Sequence, residues 1–291
     1  GTGSPSAAMG PREHERVRQV GNPEVESEIT VAREVVFGRG GEKDLLLDLY
    51  RPSGHADLPL PVVVFIHGGG WHGGDKKDYG DLATRLARHG YLCAAINYRL
   101  SGEAPFPAAL EDCKCAIRWL RAHADDYNAD PHRFATWGHS AGGHLAAMVA
   151  LTPGQFEGQG GWAHAPSVAQ CALCFSAPLD FPALGESLKG SVDAFLGAAS
   201  AGDRGGRERS SPISYVAGAT AAFFICHGEQ DNLVPPEQSQ RFVAALRKAK
   251  VAVEFMPVPT AGHDLERHSP DIFARAVRFL DRHLKRPAES C

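Results

Sequence analysis

The chain has 291 residues, 43% of them hydrophobic, which suffices for a sizeable core around a single sheet. Its 30 basic and 34 acidic residues leave a formal net charge of -4, and no basic block is present that would neutralise a row of phosphates, so nucleic acid is excluded as an expected partner. No stretch approaches the roughly 20 uninterrupted apolar residues that a membrane span requires.

Residues 1–27 are polar and expected to be disordered. The opening GTGSPSAAMG reads as an expression remnant, and nothing after it has the order of a secretory signal. A single domain is expected over residues 28–286. It begins with EITVAREVVF and DLLLDLYRP, whose length and alternation predict an antiparallel edge hairpin. PVVVFIHGGG is a continuous apolar run ending in glycines, as in a strand buried on both faces. Helical spacing over residues 78–89 is followed by the strand YLCAAINY and the amphipathic helix FPAALEDCKCAIRWLRAH. RFATWGHS reads as a strand, AGGHLAAMVAL as a helix of small residues, and VAQCALCFS as another buried strand. Residues 178–219, rich in Gly, Ser and Pro, read as a lid-like excursion with one brief helix near DAFLGAA. AAFFICHG, PEQSQRFVAALRKA, VAVEFMPV and residues 270–285 then give strand, helix, strand and closing helix. This alternation predicts a mostly parallel, twisted α/β sheet of about eight strands covered by helices on both faces, with ligands gathered at the strands' carboxyl ends.

The chemistry-bearing motifs fall at those ends. Gly138, His139, Ser140, Ala141 and Gly142 spell GxSxG between a strand and a helix, where a serine on a strained turn presents its hydroxyl beside a helix amino end. A glycine-rich turn with an incidental serine is the alternative. His67 to Trp71 form HGGGW, whose glycines let backbone N–H groups approach an oxyanion. The N–H groups of Gly69, Gly70 and Ala141 are assigned to that hole. Trp71 is expected to line the pocket, its own N–H being an alternative donor, and His67 to brace the loop. A serine needs a base and an orienting acid. Asp231, after AAFFIC, and His263, after VAVEFMPV, supply them in the chain order Ser, Asp, His. Asp180 is the main rival acid, ahead of Glu229, Asp193 and Asp203. His139 and His144 are read as structural or pocket residues, with His139 on the substrate side, and Arg99 with Asp112 as a supporting ion pair.

The seven cysteines are odd in number, and several lie in apolar runs where a thiol packs as a small hydrophobe. Cys171 and Cys174 form a CxxC inside a strand, with no second pair at zinc spacing. Neither a metal nor an organic cofactor is implied.

From about residue 30 to residue 285 the chain resembles the esterase and lipase branch of the α/β-hydrolase superfamily. HGGGW, WGHSAGGHLAAMVAL and HGEQDNLVPPEQS followed by AGHD resemble bacterial esterases grouped with carbohydrate acetyl esterases and feruloyl esterases; HGGxW is also similar to kynurenine formamidases. The resemblance implies triad roles for Ser140, Asp231 and His263 and hydrolysis of short-chain or aromatic esters, carbohydrate-linked ones included. A formamide hydrolase and a non-catalytic binding module are the alternatives. The helical cap of hormone-sensitive-lipase relatives has no counterpart in the polar lead-in, so an open site lidded by residues 178–219 is expected.

Overall fold

In a computed structural model of the chain, the residues described are 15–17, 28–54 and 58–285. The predicted hairpin forms from β2 (Ile29–Gly40) and β3 (Lys43–Pro52), and β1 (Glu15–Val17) pairs antiparallel with β2 on its outer side. That short strand falls within the lead-in expected to be disordered; the rest of residues 1–27 lies outside the described residues. The hairpin is more than an edge, because β3 also pairs antiparallel with β5 (Leu92–Ile96).

β5 opens the parallel part of the sheet, which continues through β4 (Leu60–Ile66), β6 (Ala129–His139), β7 (Cys171–Phe175), β8 (Ala222–Gly228) and β9 (Val253–Val258). The spatial order is β1-β2-β3-β5-β4-β6-β7-β8-β9, nine strands among the described residues where about eight were expected. Strand period puts Val62, Val64 and Ile66 of β4 into the core on one face and Val63 and Phe65 into the core on the other. Over the first face lie α2 (Ala108–Ala122), α3 (Ala141–Leu151) and α6 (Glu237–Lys248); α1 (Gly80–Ala87) and α7 (Pro270–Leu284) cover the second. Burial on both faces is why these strands read as unbroken apolar runs. Cys93, Cys171, Cys174 and Cys226 on the strands and Cys113 and Cys115 on α2 are free and buried, and burial pushes the Cys171 thiol up to about 12.

Residues 178–219 contain two α-helices, α4 (Lys189–Leu196) and α5 (Arg204–Arg209), where one was expected, besides two short 3-10 turns, Phe181–Leu184 and Pro212–Tyr215. α4 stops at Gly197, whose φ of +83° ends the helix before the alanines that extended the prediction. α5 escapes composition because RGGRER carries two glycines; Asp203 starts it by accepting the Gly205 N–H. No helix among the described residues is long and apolar enough to cross a membrane.

Candidate active site

The sheet register builds the site. Ile66 pairs with Gly138, so the loops leaving β4 and β6 emerge side by side at the carboxyl edge. Ser140 follows β6 directly with φ +55° and ψ -118°, a conformation that non-glycine residues rarely adopt and that a rigid surround must hold. The surround consists of backbone. A Cβ on Gly138 would sit 2.1 Å from the Gly142 carbonyl oxygen, and one on Gly142 would sit 1.9 Å from that of Ile66. Ser140 also donates its N–H to Phe175 of β7 at 2.7 Å. The turn is thereby wedged between two neighbouring strands, with Ala141 as the first residue of α3.

The HGGGW loop lies against this turn. A Cβ on Gly68 would be 2.8 Å from the His139 carbonyl oxygen and 3.6 Å from Cβ of Ser140. Gly69 and Gly70 have φ of +117° and +61°, values that leave glycine as the favoured residue. Among the described residues, the N–H groups of Gly69, Gly70 and Ala141 take no intramolecular acceptor. His67 braces the loop as expected: its Nδ1 lies 2.7 Å from the Gly68 carbonyl, its ring stacks on Tyr98 at 4.3 Å, and Tyr98 donates to its carbonyl.

Asp231 and His263 meet. His263 Nδ1 donates to Asp231 Oδ2 at 2.8 Å, while Oδ1 accepts the N–H groups of Leu233 and Val234 at 2.9 Å each. His227, whose Nε2 donates to the Val234 carbonyl, stands 3.2 Å from Oδ2 and is itself fixed by Ser239. Burial would raise the Asp231 carboxyl, yet the bonds from His227, His263 and Val234 outweigh it and hold the group below the ordinary carboxylate range. The rival acids are engaged elsewhere: Asp180 with Arg241 at 2.8 Å, Asp193 with Arg207, and Asp203 at the start of α5, while Glu229 is exposed.

His263 is tethered through its backbone to the two residues His139, beside Ser140, and Ser176. Its carbonyl accepts from Nε2 of His139 at 2.7 Å and from the Ser176 hydroxyl at 3.0 Å, and its ring lies 4.8 Å from that of His139. Among the described residues no hydrogen bond yet joins the imidazole to the Ser140 hydroxyl. Contacts of that kind commonly tighten only when substrate binds.

Trp71 has a different place from the pocket wall expected of it. It is 1% exposed, stacked on Phe195 of α4 at 4.6 Å, and its indole N–H is taken by Nδ1 of His144 at 3.2 Å. His144 in turn donates to the Ser210 carbonyl, and burial pushes its imidazole down to about 4, which keeps it a neutral acceptor for the indole. Trp71 therefore fastens residues 178–219 to the glycine loop. Arg99 and Asp112 form the expected ion pair at 2.9 Å, reinforced by the Arg99 N–H. His139 borders a cavity of about 430 Å³ lined also by Asp264, Leu265, Glu266, Arg267 and His268.

The sequence model of the BD-FAE family matches residues 47–246. The chain belongs to the BD-FAE family. The family match takes in the glycine loop, Ser140 and Asp231 and stops short of His263, whose place rests on the geometry above. Esterase LipQ of Mycobacterium tuberculosis is 34% identical over 236 residues, covering 79% of this chain and 56% of the relative. This BD-FAE chain thus spans little more than half the length of that curated relative. Among solved structures, a truncated carbohydrate esterase from gut microbiota aligns with TM-score 0.79 at 25% identity, covering 87% of this chain and 96% of that one. Butyrate-bound esterase Est2 of Thermogutta terrifontis aligns with TM-score 0.73 at 26% identity, covering 88% and 92%. The fold is that of these esterases, the α/β-hydrolase fold.

His227 and Glu266 were not singled out from the sequence. His227 lies four residues before Asp231 in HGEQD, a spacing that offers a hint once the acid is known. Nothing local marks Glu266 as buried.

Proposed function

We propose that the chain is a serine carboxylic ester hydrolase working through an acyl-enzyme. Ser140 Oγ attacks the ester carbonyl as His263 Nε2 takes its proton, and the resulting oxyanion receives the N–H groups of Gly69, Gly70 and Ala141. His263, its tautomer fixed by Asp231, returns the proton to the leaving alcohol; water then repeats the sequence and frees the acid. The reading is carried by the Asp231–His263 couple, at 2.8 Å, delivered to the same edge as a serine in left-handed backbone.

The substrates proposed are short-chain or aromatic esters of polar alcohols, carbohydrates included. Phe195, within residues 178–219, is buried against Trp71 at the end of the glycine loop, and this packing supports a short acyl site. The cavity beside His139 has one apolar side chain, Leu265, among polar and charged neighbours, which suits a hydroxyl-rich leaving group. The names of the structural neighbours, a carbohydrate esterase and a butyrate-bound esterase, lend support. The test is kcat/KM over p-nitrophenyl esters of rising chain length, acetylated xylan, a feruloyl ester and N-formylkynurenine. Decline beyond butyrate with turnover of the sugar-borne esters is expected. Preference for the longest chain, or for the formamide, would overturn the substrate assignment.

A further inference from the structure

Glu266 lies three residues beyond His263 and has no part in the steps above. It is 9% exposed, and both of its oxygens are engaged by uncharged donors: the Tyr79 hydroxyl at 3.1 Å on Oε1 and the Trp137 indole N–H on Oε2. Those donors come from the two other parts of the site. Trp137 belongs to β6, three residues before Ser140, and Tyr79 ends the tight helical turn Lys76–Tyr79 that follows the glycine loop. One carboxyl therefore ties the histidine loop to the nucleophile strand and to the segment that supports the oxyanion loop. With His139, Gly68 and Gly69 it also borders a cavity of about 230 Å³.

Among the described residues no cation forms an ion pair with the group. The neighbouring guanidinium of Arg267 is turned to the Asp78 carbonyl at 3.2 Å and to Asp81. Burial pushes the Glu266 carboxyl up to about 7 in spite of its two hydrogen bonds. A hydrophobic side chain would fill this space without that desolvation cost. What the carboxyl adds is direction, since two hydrogen bonds from separate elements fix one orientation of its loop. The other end of the loop is already pinned, His139 and Ser176 both donating to the carbonyl of His263.

We propose that Glu266 is a positioning residue, which locks loop 262–267 against Trp137 and Tyr79 and so sets where the His263 imidazole stands relative to Ser140. The inference rests on the esterase reading above. Misplacing a catalytic group by about 1 Å costs on the order of 100-fold in rate, whereas ground-state binding need not change.

The test compares the full chain with Glu266→Met, Glu266→Gln, Tyr79→Phe and Ser140→Ala. Turnover of p-nitrophenyl acetate is normalised to sites titrated with a fluorophosphonate. Glu266→Met keeps the volume and removes both bonds, so kcat is expected to fall about 10- to 100-fold with KM within threefold. Glu266→Gln accepts from Trp137 and donates to Tyr79, and is expected to recover to within about threefold of the parent. Tyr79→Phe, which removes one bond and should fold whatever Glu266→Met does, is expected to lose severalfold in kcat. Parental kcat in both Glu266→Met and Tyr79→Phe, a loss confined to KM, or a Gln variant no better than Met would overturn the role. Activity surviving in Ser140→Ala would instead overturn the esterase reading, so the two failures are distinct.

Discussion

Replacing Asp231 by Asn tests the electrostatics of the site without changing its shape. Oδ1 of Asp231 accepts two backbone N–H groups, so the amide oxygen must take that position. The new NH2 then faces Nδ1 of His263, which at present donates to Oδ2 at 2.8 Å. Donor would meet donor. The conflict is relieved when the imidazole moves its proton to Nε2, and in that tautomer it cannot take the proton of Ser140. A loss of roughly 1,000- to 10,000-fold in kcat is expected, about 4 to 5.5 kcal/mol of transition-state stabilisation. KM should stay within a few fold, because no group placed against the substrate has moved. Steady-state kinetics on p-nitrophenyl acetate, with circular dichroism to verify folding, read the outcome. A loss below tenfold with the fold intact would refute the assignment of Asp231 as the residue that sets the tautomer.

Three further outcomes follow from the packing. Trp71→Ala empties a fully buried site between Phe195 and His144 and leaves the latter's Nδ1 without its donor, so stability should fall by about 3–5 kcal/mol in urea unfolding. Gly142→Ala forces a Cβ to within 1.9 Å of the β4 backbone and should yield little folded protein on size-exclusion chromatography. For Glu266, the folded protein holds a proton between the ordinary value of 4.5 and about 7 that the unfolded chain has released, so its contribution makes stability fall as pH rises through that window. Glu266→Gln should flatten the fall in Tm between about pH 5 and 7; an unchanged slope would contradict it.

The strands and the glycine-bearing turns were legible because their causes are local. GHSAG and HGGGW are patterns imposed by backbone approaching backbone, and the Ile66–Gly138 register sets the two turns side by side. Asp231 and Asp180 both follow strands and are alike in that local respect; they differ in Arg241, 61 residues from Asp180, which occupies that carboxylate. Trp71 was misplaced for the same reason. Its enclosure by Phe195 arises from an excursion whose path composition does not encode, and only the glycines of RGGRER hid α5 within it. Glu266 sits in DLERH, where charge patterning suggests a solvated loop. Its burial comes from Trp137 and Tyr79, 129 and 187 residues away.

The most direct measurement is to react the protein with a fluorophosphonate and map the adduct by mass spectrometry. The label is expected on Ser140, in parallel with the loss of ester turnover, and both label and turnover should vanish in Ser140→Ala. Modification of another residue, or an unlabelled protein that still hydrolyses esters, would contradict the account.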